Sequence, residues 1–180
     1  ELDTTSARML KQTYPATTVY GMGYQVAPIQ NDSVDIAISN VPFGSIPVAD
    51  KDFAKGSRKL VTTSIHNYFF GKTFDKLRPG GVLAFVTTHG TLDAPTSKPI
   101  REALSERGDF LGAVRLPKSA FPDTEVVTDI IFMRKRMPDE ATPGSFGANY
   151  SPAASNLSWL ETDPVKITIM EKAPEYRYSG

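Results

Sequence analysis

The sequence contains no cysteine, and this absence excludes several kinds of chemistry at once. A chain without thiols forms no disulfide, no thiolate zinc site and no cysteine nucleophile. Long apolar runs are also missing, and no basic-then-apolar signal segment opens the chain. We therefore expect a protein that works in a reducing cytoplasm and has no membrane partner.

An excess of charge of either sign is missing as well. Lys+Arg and Asp+Glu both number 20, so the formal net charge is zero. A free-standing nucleic-acid binder usually carries an excess of basic residues. Contacts with nucleic acid would therefore come from local basic patches or from a part of the protein outside this chain. His66 and His89 are too few and too scattered to predict a metal site. The chain opens on Glu1 rather than Met, and we expect it to be a piece of a longer protein.

Apolar runs and turn-forming residues alternate along the chain and predict strands and helices in turn. The predicted strands are residues 17–21, 34–39, 82–88, 109–117 and 128–136, and the predicted helices are residues 4–14, 61–77 and 97–108. The first helix has Thr or Ser as its expected N-cap, and the strand at 34–39 is expected to be buried on both faces.

This order of elements predicts the fold class. Helices separate most of the strands, which indicates an α/β fold with a doubly wound, mostly parallel, Rossmann-like sheet and helices on both faces. No helix separates the last two strands, so a C-terminal antiparallel hairpin is expected. After about Met137 the composition shifts to Pro, Ser, Ala, Gly and Asn. We therefore predict one domain over residues 1–136 and an irregular tail or linker over 137–180, with 165–170 as a weak edge strand.

The stretch "DIAISNVPFG", residues 35–44, ends a predicted strand in an unusual way. Asn40 offers an amide oxygen, and Pro42 offers a backbone carbonyl on a rigid loop. Two acceptors that converge on one point suit an amino group with two hydrogens. Phe43 adds a flat face on which a planar base can stack. Ligands of such sheets bind beyond the carboxyl ends of the strands, which is where this stretch falls.

The order of motifs resembles the amino-methyltransferases that use S-adenosylmethionine, in particular N6-adenine DNA methylases related to type I and type IIG restriction–modification enzymes. Their signature is Asn/Asp-Pro-Pro-Tyr/Phe, of which "NVPF" is a variant with Val41 in place of Pro. "NVPFG" also resembles the form in methylase–helicase fusion proteins of bacterial mobile elements. "FDKLRPGGVLAFVTTHGTLDA" and "IREALSERGDFLGAVRLPKSAFPDTEVVTDIIFMRKR" are similar to the downstream half of those domains, so the resemblance covers residues 1–136.

The resemblance implies a bacterial cytoplasmic enzyme with S-adenosylmethionine as cofactor and double-stranded DNA as partner. Asn40 and the Pro42 carbonyl would bind the N6 amine of an adenine flipped out of the duplex, and Phe43 would stack on its ring. Methyl transfer would then be an in-line displacement that depends on positioning and electrostatics. Lys55, Arg58 and Lys59, in the segment after the motif, are candidates for contacts with DNA phosphates, with a solvated charge run as the alternative.

The cofactor side rests on fewer residues. "ELD" resembles the end of the second strand of the family, which maps the ribose-binding acid to Glu1 with Asp3 nearby. Gln25 falls where an acidic residue that brackets the cofactor adenine is expected. Phe70 is a candidate for lining the pocket near the cofactor, with a plain core position as the alternative. The Gly-rich cofactor loop of the family would precede Glu1, in the remainder of the parent polypeptide.

Two other functions compete with DNA adenine N6-methylation. Similar motifs occur in methylases of glutamine side chains and of RNA bases, because an amide and an aryl amine present the same NH₂ group. A degenerate methylase fold kept as a DNA-binding or assembly module is the non-enzymatic alternative. A dinucleotide-dependent dehydrogenase would need a glycine fingerprint, which the chain lacks.

Overall fold

The computed structural model describes residues 1–116, 120–121 and 126–140 and divides the chain into two compact units. The first unit, residues 1–30, holds helix α1 (Thr4–Thr13) and a 3-10 turn (Tyr24–Val26). The N-cap of α1 is Asp3, whose Oδ2 accepts a 2.6 Å hydrogen bond from the Ser6 amide, and not the predicted Thr or Ser. The strand predicted at 17–21 is wrong. That segment is irregular because no described strand pairs with it.

The second unit begins at Asn31 and contains the sheet. Its elements in chain order are β1 (Val34–Asn40), α2 (Ile65–Lys76), β2 (Leu77–Thr88), α3 (Gly90–Asp93), α4 (Lys98–Ser105), β3 (Gly108–Arg115) and β4 (Thr128–Lys135). The strand order is β1-β2-β4-β3, with β1 parallel to β2 and β4 antiparallel to both of its neighbours. The predicted antiparallel hairpin is therefore confirmed. The strand predicted at 165–170, and the predicted tail from 141 onward, lie outside the described residues.

The helix predicted over 61–77 consists of two pieces. A 3-10 segment, Gly56–Thr63, precedes α2, and Ser64 between them is extended at φ −146° and ψ 150°. The helix predicted at 97–108 is α4, with Pro99 in its first turn as expected. None of the helices among the described residues combines the length and the apolar character needed to cross a bilayer.

The core lies between one face of the sheet and helices α2 and α4. Leu83 and Phe85 on β2 pair with Met133 and Ile131 on β4, and all four side chains are buried. Phe70 of α2 packs edge-to-face on Phe85, with ring centroids 5.1 Å apart. Burying each such side chain contributes about 1.5–3 kcal/mol, so this layer supplies much of the drive to fold.

The opposite face of the sheet is partly exposed among the described residues of the second unit. Ile36 and Ile38 of β1 are 65% and 80% exposed, and Val82, Ala84 and Val86 on β2 are only partly buried. The prediction of a first strand buried on both faces is therefore wrong. The reason is that β1 is an edge strand with one neighbour, and the helices of the unit pack on the other face.

Candidate amine-binding site

The Asn-Val-Pro-Phe stretch lies at the carboxyl end of β1, where the sequence predicted a site. Asn40 is the last residue of the strand and lies opposite Val86 of β2. Val41 is 2% exposed, and its amide donates a 3.1 Å hydrogen bond to the Val86 carbonyl. Asn40, Pro42 and Phe43 are exposed around this buried anchor. The sheet thus fixes the backbone and leaves the three candidate side chains accessible.

Gly44 turns the chain away from the strand end. Its φ is +146°, in the region that side chains rarely adopt, so this position requires glycine. The loop returns to the fold at Val48, whose amide donates to the Thr62 carbonyl at 2.9 Å. The motif is therefore held between β1 on one side and a hydrogen-bonded loop on the other.

Asp50 fastens this loop to α2. Its Oδ2 accepts hydrogen bonds from the Tyr68 hydroxyl at 2.6 Å and from the Lys72 Nζ at 2.9 Å. The side chains of Asp50 and Lys72 are only 4% and 5% exposed. Burial alone would raise the pKa of Asp50, but the bonds from Tyr68 and Lys72 outweigh it and hold the pKa below its ordinary value. The sequence analysis missed this anchor, because no local pattern marks a buried acid–lysine pair far apart in the chain.

His66, in the first turn of α2, lies close to the same loop. Burial of the ring lowers the pKa of His66 below its ordinary value, and a hydrogen bond with the Gly44 backbone opposes that shift. The shift favours the uncharged imidazole next to Gly44, a second feature that the sequence did not reveal.

The candidate DNA-binding residues have different surroundings. Lys55 and Lys59 are exposed, on either side of the start of the 3-10 segment. Arg58 pairs with Asp75 at 2.6 Å and lies over the Phe53 ring, 4.3 Å from its centroid. Arg58 therefore has an intramolecular role in this structure, while the two lysines are accessible to a partner.

The candidate cofactor residues are only partly suited to a ligand. Phe70 is 0% exposed and packs on Phe85, which favours the core position over the pocket contact. Hydrogen bonds from Ser6 hold the pKa of Asp3 below its ordinary value, and its carboxylate caps α1. Glu1 is exposed, and its Oε1 accepts a hydrogen bond from the Asp3 amide. Gln25 is exposed beside Gly23.

Comparison with known proteins decides the family. The family model described as N-6 DNA Methylase matches residues 12–146 of this chain. The chain belongs to this family. The cofactor that the family assignment implies is S-adenosylmethionine.

Two curated relatives cover most of the chain. The chain is 28% identical over 171 residues to Defense against restriction protein B of Escherichia phage P1, a match that covers 88% of this chain and 7% of the phage protein. It is 25% identical over 148 residues to the Type II methyltransferase M.BanIII of Aneurinibacillus aneurinilyticus, covering 78% and 24% of the two chains. The chain thus spans a quarter or less of these relatives.

A solved structure supports the fold. The methyltransferase subunit of a type I restriction-modification system from Streptococcus thermophilus superimposes with a TM-score of 0.62 at 22% identity, covering 77% of this chain and 33% of that one. The predicted α/β, Rossmann-like methyltransferase fold is confirmed.

Proposed function

We propose that this chain is the amine-binding half of an enzyme that transfers a methyl group from S-adenosylmethionine to the N6 amine of adenine in DNA. The observation that carries the proposal is the end of β1, where Asn40, Pro42 and Phe43 are exposed around the buried Val41 in a member of the N-6 DNA methylase family.

The chemistry of the site follows from its acceptors. The Asn40 Oδ1 and the Pro42 carbonyl oxygen accept the two N6 hydrogens of an adenine flipped out of the duplex. These bonds draw the amine toward a tetrahedral arrangement and aim its lone pair away from the ring. Phe43 stacks on the base and contributes about 1–3 kcal/mol to binding.

The reaction needs only positioning and electrostatics. S-adenosylmethionine supplies a methyl group on a sulfonium sulfur, which is an electrophile. On transfer, the N6 nitrogen would gain the methyl group, the carbon–sulfur bond would break with its electron pair left on sulfur, and the nitrogen would release one proton to solvent water. Asn40 and Pro42 hold the nitrogen in line for this displacement.

Exposed lysines next to the motif supply the local charge that a neutral chain otherwise lacks. Lys55 and Lys59 contact phosphates that flank the flipped adenine in this proposal. The loop that carries them is joined to α2 through Asp50, so the lysines are held relative to the amine site. Arg58 contributes by fixing this loop through Asp75 and Phe53.

The remainder of a longer, bacterial, cytoplasmic polypeptide completes the enzyme in this proposal. The chain corresponds to 7% of the phage relative and 24% of the type II methyltransferase. The open face with Ile36 and Ile38 is apolar, as expected of a surface that other segments cover. Those segments supply the Gly-rich cofactor loop and the target recognition, and Glu1 contributes to the ribose site.

A second candidate is supported by the cofactor side. Phe70 is part of the core and Asp3 caps a helix, which is what a degenerate methylase module that only binds DNA would show. Methylation of RNA bases or of protein glutamine stays an alternative because those acceptors present the same NH₂ group.

Labelled methyl transfer by the full natural polypeptide tests the proposal. The protein is incubated with S-adenosylmethionine labelled in the methyl group and, separately, with duplex DNA, structured RNA and a glutamine-containing protein. We expect label in DNA, recovered as N6-methyladenine after digestion. Label found only in RNA or only in protein would show that this molecule, and not DNA, is the acceptor. Cofactor binding without transfer to any acceptor would favour the degenerate methylase module.

A further inference from the structure

The turn that follows β2 is held by donors from two other elements. Arg101 of α4 donates its Nη1 to the carbonyls of Thr91 at 3.2 Å and of Ala94 at 3.0 Å. The Ser97 hydroxyl donates to the Gly90 carbonyl at 2.8 Å. Arg115 at the end of β3 contacts Asp93, with 2.6 Å between Nη2 and Oδ2. The turn at residues 90–94 is thus held by hydrogen bonds and an ion pair from side chains outside it.

Arg115 also joins this turn to the start of β4. Its Nε and Nη2 donate to the two carboxylate oxygens of Asp129 at 2.8 and 3.0 Å. The side chains of Asp93, Arg115 and Asp129 are 5%, 4% and 0% exposed. We call these three residues the arginine bridge. Burial raises the pKa of Asp129 above its ordinary value, against the two hydrogen bonds from Arg115.

Stability does not account for the arginine bridge. Two buried carboxylates share one guanidinium, and apolar residues of similar volume often stabilise a fold as well or better. What the bridge supplies is geometry, because the planar guanidinium holds the Asp129 carboxylate with two hydrogen bonds and forms an ion pair with Asp93. The single ammonium group of a lysine cannot make this two-bond contact. The arginine bridge therefore suits a role in which the positions of the residues that it joins are important.

The turn that the arginine bridge holds follows β2, the strand that pairs with β1 at Asn40. Asn40 lies opposite Val86, and His89 follows Val86 by three residues, about 10 Å along the strand direction. The exposed His89 is fastened to Val127, since its backbone amide donates to the Val127 carbonyl at 3.1 Å and its Nδ1 lies 3.1 Å from the same oxygen. The arginine bridge links Asp93, four residues after His89, to Asp129, two residues after Val127.

We propose that Arg115, with Asp93 and Asp129, is a positioning residue for methyl transfer. It fixes residues 89–93 as the wall of the base pocket that faces Asn40, so that a bound base is held in line. The inference rests on the proposed function and extends it, because neither the family motif nor the clamp chemistry involves these residues.

An apolar replacement separates a positioning role from a structural one. The triple variant Asp93→Leu/Arg115→Met/Asp129→Leu, in the full natural polypeptide, is expected to keep its thermal stability. Its single-turnover rate of methyl transfer is expected to fall about 100-fold, as a displacement of about 1 Å produces, with cofactor affinity unchanged. The matched control is Asp109→Leu/Arg134→Met, which removes an ion pair between the same two strands at their other end. Its transfer rate is expected to stay within twofold.

If the triple variant does not fold, a second variant and a second measurement test the proposal. Arg115→Lys keeps the positive charge and loses the two-bond contact of the guanidinium with Asp129. The amides of His89, Leu92 and Asp93 all donate to fixed carbonyls, and we expect their hydrogen exchange in Arg115→Lys to rise about tenfold while that of β2 is unchanged. A folded triple variant that transfers methyl at the wild-type rate would overturn the inference. So would unchanged exchange of the three amides in Arg115→Lys.

Failure of the proposed function looks different. In that case the wild-type polypeptide labels no acceptor, and the hydrogen exchange of Arg115→Lys alone decides whether the bridge fixes the turn. Failure of the inference alone leaves wild-type transfer intact and the variants equally active.

Discussion

Val41 is the buried residue in a stretch whose neighbours are exposed, and this contrast explains the unusual end of β1. The Val41 amide continues the hydrogen bonds of the sheet and its side chain fills the core, so the backbone on both sides of it is fixed. In the proposed function, Asn40 and Pro42 would present their acceptors from this fixed backbone, so little conformational entropy would be lost when a ligand binds. Valine suits this position better than a second proline, whose missing N–H could not make the bond to Val86.

Phe43 should contribute to substrate binding and little to folding, because it is 37% exposed. We expect Phe43→Ala to weaken DNA binding about tenfold or more, since stacking on a base contributes about 1–3 kcal/mol. Fluorescence anisotropy with a labelled duplex measures this. Ile46→Ala, at a 61% exposed position of the same loop, is the control and should bind like the wild type. Equal affinity of the Phe43 and Ile46 variants would contradict the stacking role.

Asp50 should control the stability of the loop in a pH-dependent way. Its pKa is lowered in the folded state, so its ionised form stabilises the fold above the unfolded-state pKa of about 3.9, and this contribution is lost as the pH falls through the folded-state value. We expect Asp50→Asn to cost about 3–5 kcal/mol at neutral pH, because it leaves the buried Lys72 with only the exposed Asp52, 3.8 Å away, as an acidic partner. The cost should shrink toward about pH 3.

Urea denaturation at both pH values measures the free energy of unfolding for this comparison. Asp35→Asn is the control, because Asp35 and its partner Arg78 are exposed, and it should cost less than about 0.5 kcal/mol. A cost for Asp50→Asn that is the same at both pH values would show that the charge of Asp50 does not matter.

At the scale of elements, local patterns predicted most of the second unit. Pro99 and the apolar spacing marked α4, and the missing helix between β3 and β4 marked their hairpin. The failures have a common cause, because a strand is defined by its neighbours and not by its own residues. The run at 17–21 has strand-forming residues and no described partner, and β1 has an apolar sequence but lies at an edge.

The residues of the candidate site likewise fall into those that the sequence could predict and those that it could not. The motif residues Asn40, Pro42 and Phe43 could be predicted because they are adjacent in the sequence and fall at a strand end. Asp50 with Lys72 could not be, because their contact arises from the path of the loop over α2. Phe70 could be given only two alternative roles, because an aromatic residue on a helix looks the same in sequence whether it lines a pocket or packs in the core, as it does on Phe85.

Gly108 begins β3 at a point where α2 and the sheet meet closely. A Cβ at this position would lie 2.7 Å from the Arg134 carbonyl oxygen and would overlap the Phe74 ring. We expect Gly108→Ala to cost about 1–3 kcal/mol, because the ring and the strand must move apart. Thermal denaturation measures it. Gly90→Ala is the control, since its nearest atom would be 3.7 Å away, and an equal loss in both variants would contradict this account of the packing.

At the scale of the whole molecule, the formal net charge of zero limits how this chain could bind DNA. With a formal net charge of zero, long-range attraction is weak and contacts must come from local groups. Arg58, Arg107 and Arg134 are engaged by Asp75 or Asp109, which removes them as free cations. Lys55 and Lys59 are exposed cations in the segment that follows the motif.

These lysines should set the salt dependence of DNA binding. We expect Lys55→Ala/Lys59→Ala to lower affinity for all duplexes alike and to reduce the slope of log K against log salt by about 2, one for each lost phosphate contact. Titrations at several salt concentrations measure the slope. Lys98→Ala, which removes a lysine paired with Glu102, should leave it unchanged. A slope that is the same in the double variant would place the DNA on another surface.

The most direct test of the amine-binding site is the single-turnover rate of methyl transfer to DNA by Asn40→Ala in the full natural polypeptide. Ser39→Ala, one residue earlier in β1, is its control. We predict that the rate falls at least about 100-fold, the loss typical of removing one preorganised hydrogen-bonding group, while cofactor affinity and thermal stability are unchanged. A rate within twofold of the control would contradict the assignment of Asn40 as the acceptor that holds the amine.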